Sequence, residues 1–311
     1  VLKKPPLIVI AGPTASGKTS LSIALSHRLK GEVVAMDSMQ IYRYMDIGTA
    51  KPTLSERENI PHHMLDVSDP KDTYSVAEYA RQAKNCISDV HQRGKIPILT
   101  GGTGLYLKAL TTFMELGGIQ GDPIIRERLT AIAQEENGGE ALHEMLAKVD
   151  PESANRLHRN DIRRIIRALE VYELTGKPIS CQQPGEQPEC PYSLCVLGLF
   201  LERETLYKRI DDRVDAMMNM GLSQEVEGLL HMGVPPEAQS MQGLGYKELI
   251  PVVKDRQPLH QAVEAIKLGT HHYAKRQMTW FRRTEGILWL DVQAKDLMDV
   301  AMEQIRTVLN I

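Results

Sequence analysis

Gly12-Pro13-Thr14-Ala15-Ser16-Gly17-Lys18-Thr19 constrains this chain more than any other stretch. It satisfies the pattern GxxxxGK[ST], with the apolar run LIVIA (7–11) before it and TSLSIALSHRL, of helical periodicity, after it. Strand, glycine-rich turn and helix in that order make a phosphate-binding loop. Glycine lets backbone N–H groups approach phosphate oxygens, the helix N-terminus adds partial positive charge, Lys18 adds a full one, and the Thr19 hydroxyl can ligate Mg2+. The loop identifies a polyphosphate without saying that it belongs to ATP.

The same alternation continues. EVVAM (32–36) reads as a second buried strand ending on Asp37, and KIPILT (95–100) as a third ending on GGTG. Between them SVAEYARQAKNCISDVHQRG is an amphipathic helix stopped at Gly94, and SLCVLGLFL (193–201) reads as a later strand of the same sheet. The expected fold is α/β, a P-loop NTPase-like parallel sheet flanked by helices, with functional residues at the carboxyl ends of the strands. From 119 to 190 the pattern changes: DPIIRERLTAIAQEE, GEALHEMLAKV and DIRRIIRALEVYELTG read as helices, followed by the loop CQQPGEQPECP. The expected division is 1–118 with 191–311 as core, its tail helical, and 119–190 as a helical insertion domain.

A phosphoryl-transfer enzyme of this class carries a second apolar strand ending in Asp to hold Mg2+. Here the third strand ends in Thr100-Gly101-Gly102-Thr103, and the carboxylate stands instead at the end of the second strand, as Asp37. GGTGLY could add hydrogen bonds to a phosphate or serve packing alone. Two basic stretches follow. In NDIRRIIRALE, Ile162, Ile165, Ile166 and Leu169 share one helix face and Arg163, Arg164 and Arg167 the other, with Asn160 or Asp161 as N-cap; the arginines suit phosphate or plain solvent. In HHYAKRQMTWFRR, Lys275, Arg276, Arg282 and Arg283 surround Trp280 and Phe281, an arrangement fit for unstacked bases or for a core aromatic at a helix end.

At 311 residues with net charge −3, the chain has no overall field for a polyanion, so any nucleic acid must be held by such local patches. Cys86, Cys181, Cys190 and Cys195 form no CxxC pair, and adjacent His62-His63 and His271-His272 have side chains that diverge, which argues against metal ligation. No apolar run of about 18 residues occurs, and the opening residues show no signal-peptide cleavage pattern. A cytoplasmic protein without a membrane partner is expected.

With these residues in hand the chain resembles the tRNA dimethylallyltransferase family, also called tRNA isopentenyltransferase, in its bacterial form without a C-terminal zinc finger. GPTASGKT, DSMQIYRYMDIGTAKP, PHHMLDVSDP, GGTGLYLKAL, NDIRRIIRALE, QGLGYKEL and AKRQMTWFRR stand in the family's order. The resemblance implies transfer of a dimethylallyl group from dimethylallyl diphosphate to N6 of the adenosine immediately 3' of the anticodon in tRNA. It makes sense of the missing acid, because the bond broken is carbon to oxygen and diphosphate leaves whole. It also implies that Asp37 takes the N6 proton, that Lys18, Thr103 and Arg213 neutralise the diphosphate held by residues 12–19, and that Mg2+ is held near Thr19. Contacts to the anticodon stem-loop are implied for Asp37, Ser38, Met39, Gln40, Thr103, Arg126, Arg163, Arg164 and Arg167. They are implied also for Gln242, Gly243, Leu244, Gly245, Tyr246 and Lys247, and for Lys275, Arg276, Gln277, Trp280 and Arg282. The adenosine must flip into the site, and a monomer is expected. Two rivals use the same residues: a small-molecule kinase with ATP in the loop and Asp37 as base, and a nucleic-acid-binding module that senses a nucleotide.

Overall fold

The computed structural model describes residues 4–112, 121–182 and 189–310. The chain divides into two compact units, one of Val1–Thr112 with Cys190–Ile311 and one of Phe113–Glu189. The junction expected at 118 and the centre of the loop CQQPGEQPECP lie outside the described residues.

The first unit contains β1 (Pro6–Ala11), α1 (Lys18–Leu29), β2 (Gly31–Met36), β3 (His62–His63), α2 (Val76–Gln92), β4 (Ile96–Gly101) and α3 (Gly104–Thr111). The second unit holds α4 (Pro123–Gln134), α5 (Gly138–Val149), α6 (Pro151–Arg156) and α7 (Ile162–Thr175). The chain then returns through β5 (Ser193–Phe200), α8 (Arg203–Asn219), α9 (Leu222–His231), α10 (Tyr246–Asp255), α11 (Leu259–Phe281), β6 (Ile287–Asp291) and α12 (Leu297–Leu309). The strands form a sheet of order β3-β2-β4-β1-β5-β6, with every pair parallel.

Parallel strands covered on both faces need apolar residues throughout, and β2 is buried along its whole length. Ile8, Ile10, Leu197 and Leu199 of the sheet pack with Leu21 and Leu25 of α1 and Ile305 and Leu309 of α12. Two strands escape the sequence reading. β3 is only two residues long, and ILWLD, read as part of a helical tail, is the edge strand β6 beside β5. In the second unit Leu129, Leu142, Leu146, Ile165 and Leu169 form a separate small core. Asp161 is the N-cap of α7, but its carboxylate pairs with Arg164 at 3.0 Å instead of capping the backbone. Among the described residues no helix is long and apolar enough to cross a membrane.

At the amino end of the sheet, Glu32 is buried in β2 and gathers Arg93 at 2.6 Å, Lys95 at 2.9 Å and His63 at 2.7 Å. Burial alone would raise its carboxyl; the hydrogen bonds from Arg93, Lys95 and His63 outweigh it and pull the group from 4.5 down to about 2. A carboxylate depressed on folding stabilises fully above its unfolded value, and that stability is lost as pH falls through the folded one. Glu32→Gln is therefore expected to lower stability by about 2–3 kcal/mol at neutral pH, allowing for the partial exposure of the two cations. In urea titrations the gap to wild type should close as pH is lowered from about 4.5 to about 2.

Candidate active site

The phosphate loop is shaped by backbone that only small residues tolerate. Gly12 has φ +152°, and a Cβ there would lie 2.9 Å from the Leu199 carbonyl oxygen. Gly17, at φ +86°, turns the chain into α1. Ser16 donates its hydroxyl to the Pro13 carbonyl at 2.8 Å, and Lys18 donates its Nζ to the same oxygen at 2.5 Å. The Lys18 ammonium is thus folded back onto its own loop. Burial, then the charge of Arg213, pull it down to about 7 against the opposing pull of Asp37. Arg213, from α8, is itself lowered by burial. Two buried cations crowded together, with Asp37 acting on Lys18 and Glu56 on Arg213, make a site whose charged forms a polyphosphate would favour.

Lys18, Thr19, Arg213, Asp37, Gln40 and Gln277 line one small cavity of about 80 Å³. A larger one of about 610 Å³ shares Lys18, Thr19 and Arg213 with it and is walled by Met217 and Met220. Asp37 follows β2 directly. Its Oδ1 accepts from the N–H of Met39 at 2.8 Å and of Gln40 at 3.3 Å, which fixes the carboxylate, while no hydrogen bond among the described residues takes Oδ2. One oxygen holds the turn and the other is open to a ligand. At the end of β4, where a metal-holding acid would stand in a phosphoryl-transfer enzyme, Thr100 is present.

The glycines of GGTG are tightly packed, and Gly101 and Gly102 also line the small cavity. A Cβ on Gly101 would meet the Met36 carbonyl oxygen at 2.0 Å, on Gly102 the Gln277 Nε2 at 1.9 Å, and on Gly104 the Trp280 Cδ1 at 2.1 Å. Thr103 carries the polar part: its Oγ1 accepts from Ser38 N–H at 3.2 Å, and Tyr273 lies nearby. Tyr273 is held protonated by burial and by the charge of Asp37. The sequence reading passed over this tyrosine, although its spacing of four from Gln277 places both on one face of α11.

Several residues expected at an RNA surface are interior. Gln277 is buried; its Oε1 accepts from Thr14 N–H at 2.9 Å and its Nε2 donates to the Gly102 carbonyl at 3.0 Å. Tyr246 is fully buried and donates its hydroxyl to Glu225 at 2.6 Å. Glu225, also unanticipated, accepts from the N–H groups of Asp46, Ile47 and Gly48 at 2.9, 2.8 and 3.0 Å. Buried Lys51 ties the same loop through the Tyr42 carbonyl and the carboxylates of Asp46 and Asp66. Gln40 Nε2 donates to the carbonyls of Thr49 and Ala50. Gly243 and Gly245 are buried and Leu244 half-buried, while Gln242 and Lys247 are exposed. A Cβ on Gly243 would meet Met39 at 2.5 Å, so the structure brings DSMQ and QGLGYK side by side.

Lys275, Arg276 and Arg282 are exposed and Phe281 is fully buried. Trp280 is 39% exposed and, with Lys108, Lys275, Arg276 and Arg283, lines a cavity of about 1040 Å³. In the second unit the arginines are not equivalent. Arg126, itself exposed, and half-buried Arg167 both hold buried Glu170, at 2.7 and 2.5 Å, whereas exposed Arg164 pairs with Asp161 and Arg163 is exposed. Burial would raise the Glu170 carboxyl, but these two guanidiniums outweigh it and lower it.

Replacing Gln277 by Leu keeps the bulk but leaves Thr14 N–H and the Gly102 carbonyl without their partner. Each unpaired buried group costs about 1–3 kcal/mol. Gln277→Leu is expected to lower the urea midpoint and to weaken binding of inorganic diphosphate, read by calorimetry on the folded protein.

A family model described as IPP transferase matches residues 40–284. A tRNA dimethylallyltransferase of Pelotomaculum thermopropionicum is 50% identical, over 94% of this chain and 92% of the relative. One from Carboxydothermus hydrogenoformans is 46% identical, over 97% and 96%. Among solved structures, the full-length tRNA isopentenylpyrophosphate transferase of Bacillus halodurans superposes with a TM-score of 0.73 at 40% identity, covering 99% of each chain. A eukaryotic dimethylallyltransferase captured acting on tRNA reaches 0.81 at 33% identity, covering 98% of this chain and 79% of the other. A phosphate loop without a strand-end acid, an open carboxylate beside it and matches of this extent lead to one assignment: the chain belongs to the IPP transferase family of tRNA dimethylallyltransferases.

Proposed function

We propose that this chain transfers a dimethylallyl group from dimethylallyl diphosphate to N6 of the adenosine immediately 3' of the anticodon in tRNA, releasing diphosphate. The observation that carries the reading is that Asp37, with one carboxylate oxygen open, shares a single small cavity with the phosphate-loop cations Lys18 and Arg213. A nucleophile activated by the acid therefore meets a leaving group held by the cations.

The exocyclic amine of adenine is a weak nucleophile, because its lone pair is delocalised into the ring. Attack has to be coupled to loss of a proton, and Asp37, whose Oδ1 is held by Met39 N–H, orients the amine and accepts the proton through Oδ2. As the C–N bond forms and the C–O bond breaks, negative charge grows on the diphosphate. Free N–H groups of the phosphate loop, Lys18 and Arg213 neutralise it, and Thr103, after the end of β4, adds a hydroxyl hydrogen bond. Among the described residues no group of three or more His, Cys, Asp or Glu could hold a metal. The donors present still fit Mg2+, which keeps most of its shell as water and phosphate oxygen; Thr19 would hold it, and it would supply further positive charge to the leaving group. The acceptor adenosine flips out of the anticodon loop, and exposed Lys275, Arg276, Arg282, Arg163 and Arg164 meet backbone phosphates while Trp280 offers a stacking face. The chain acts as a monomer on the anticodon stem-loop. Buried Gln277 and Tyr246 contribute by holding the loops in place.

Incubating unmodified tRNA with dimethylallyl diphosphate and Mg2+, followed by mass analysis of the nucleosides, should give an adenosine heavier by one five-carbon unit. Label from ATP appearing on an acceptor, with the isoprenoid leaving tRNA untouched, would favour a kinase instead. Asp37→Asn keeps the turn but removes the base. Its single-turnover transfer is expected to fall by about 10² to 10⁴, with tRNA and diphosphate affinities changed far less.

A further inference from the structure

We infer that His62 is a positioning residue for the proposed reaction: with the Thr100 hydroxyl it holds water in the small cavity beside Asp37, and that water passes the proton taken by Asp37 on to His62. The inference rests on the transfer reaction proposed above.

β3 sends its two rings to opposite sides, as alternation along a strand requires. His63 goes to Glu32. The His62 Nδ1 lies 2.8 Å from the Ile60 carbonyl, which can only accept, so Nδ1 carries the hydrogen and Nε2 of the neutral ring is a lone pair. That Nε2 is buried and has no hydrogen-bond partner among the described residues. Thr100 Oγ1, at the end of β4, is buried and unpartnered in the same way. Both residues line the cavity of about 80 Å³ that also reaches Asp37, Lys18 and Arg213.

A buried polar atom left unpaired costs about 1–3 kcal/mol, and two around one polar cavity call for a shared partner. At about 30 Å³ per molecule in the liquid, the cavity has room for two waters. Thr100 both donates and accepts, so it can orient one of them towards the Nε2 lone pair. Val33, Ala35 and Leu65 add apolar surface to the same lining. Burial holds the ring neutral before reaction, against the opposing bond to Ile60.

The proton count closes. The N6–H proton moves to the Asp37 carboxylate as the C–N bond forms. The resulting acid gives it to water, and water gives one of its own to Nε2. The ring becomes imidazolium with Nδ1–H still on Ile60, and Asp37 returns to carboxylate. The new positive charge arises while released diphosphate is still in the site and offsets it, although Arg57 and His63 also face the ring. Exchange with solvent after product release resets His62.

The test is single-turnover transfer to tRNA by the full chain, comparing wild type with His62→Gln, which keeps a polar atom near the Nε2 position but takes no proton at neutral pH. The rate is expected to fall roughly 10- to 100-fold, with affinity for inorganic diphosphate and the thermal midpoint unchanged. The dependence of rate on the deuterium fraction of solvent, curved for several protons in flight in wild type, should become linear. A rate within twofold of wild type, an unchanged isotope dependence, or a rate loss matched by lost diphosphate affinity would each overturn the relay. If His62→Gln does not fold, Thr100→Val is read in the same way, with a smaller loss and the same straightening expected. Absence of transfer by wild type would overturn the proposed function itself, whereas normal transfer by the variant overturns the relay alone.

Discussion

The two hydrogen bonds of Gln277 hold the site together. Its amide closes the Thr14 N–H of the phosphate loop on one side and the Gly102 carbonyl on the other, so the loops after β1 and β4, neighbours in the sheet, are fixed against a single side chain from α11. That contact needs Gly102, because any Cβ there would occupy the position of the amide nitrogen. One helical turn further on, Trp280 lies against Gly104 under the same restriction. One turn back, Tyr273 reaches Thr103. Helix α11 thus reads the GGTG stretch with three residues of one face, and the position of Asp37 follows through the bond from Ser38 N–H to Thr103.

Charge is arranged differently at the reaction centre and away from it. Glu32 and Glu170 are buried acids, each saturated by two or more cations, while Glu225 is saturated by three backbone N–H groups and a tyrosine. These acids fix sheet, helix and loop through direct pairs. Around the phosphate loop the cations lack such direct carboxylate partners: Lys18 donates to the Pro13 carbonyl. Asp37 acts on Lys18 and Glu56 on Arg213, yet burial depresses both cations, and an incoming diphosphate would favour their charged forms.

Much of this was legible in the chain. The phosphate loop announced itself by its glycine spacing between an apolar run and a helix, and Asp37 and Thr103 by their places at strand ends. β1, β2, β4 and β5 were readable because buried parallel strands are short continuous apolar runs. β6 has the same character, since ILWLD begins after Gly286 and ends on Asp291 much as VVAM ends on Asp37. It was passed over because five residues between helices give too short a period to separate strand from helix. The two-residue β3 carries no periodic signal at all.

What the sequence by itself determined was the local chemistry: which residue types stand at turns, strand ends and helix faces, fixed by backbone geometry and hydrophobic period over a few residues. Only the tertiary structure decided which of them face protein and which face a ligand. Gln277 and Arg276 are neighbours in one basic stretch, yet the first is sealed against Gly102 and the second is exposed. Arg167 and Arg164 share a helix face, yet one is drawn to a buried glutamate contributed one turn later and shared with Arg126 of another helix. Burial and pairing depend on elements remote in sequence, and a side chain's hydrogen-bonding capacity is the same whichever partner it meets. The identity of the partner is therefore settled by packing and not by the residues on either side.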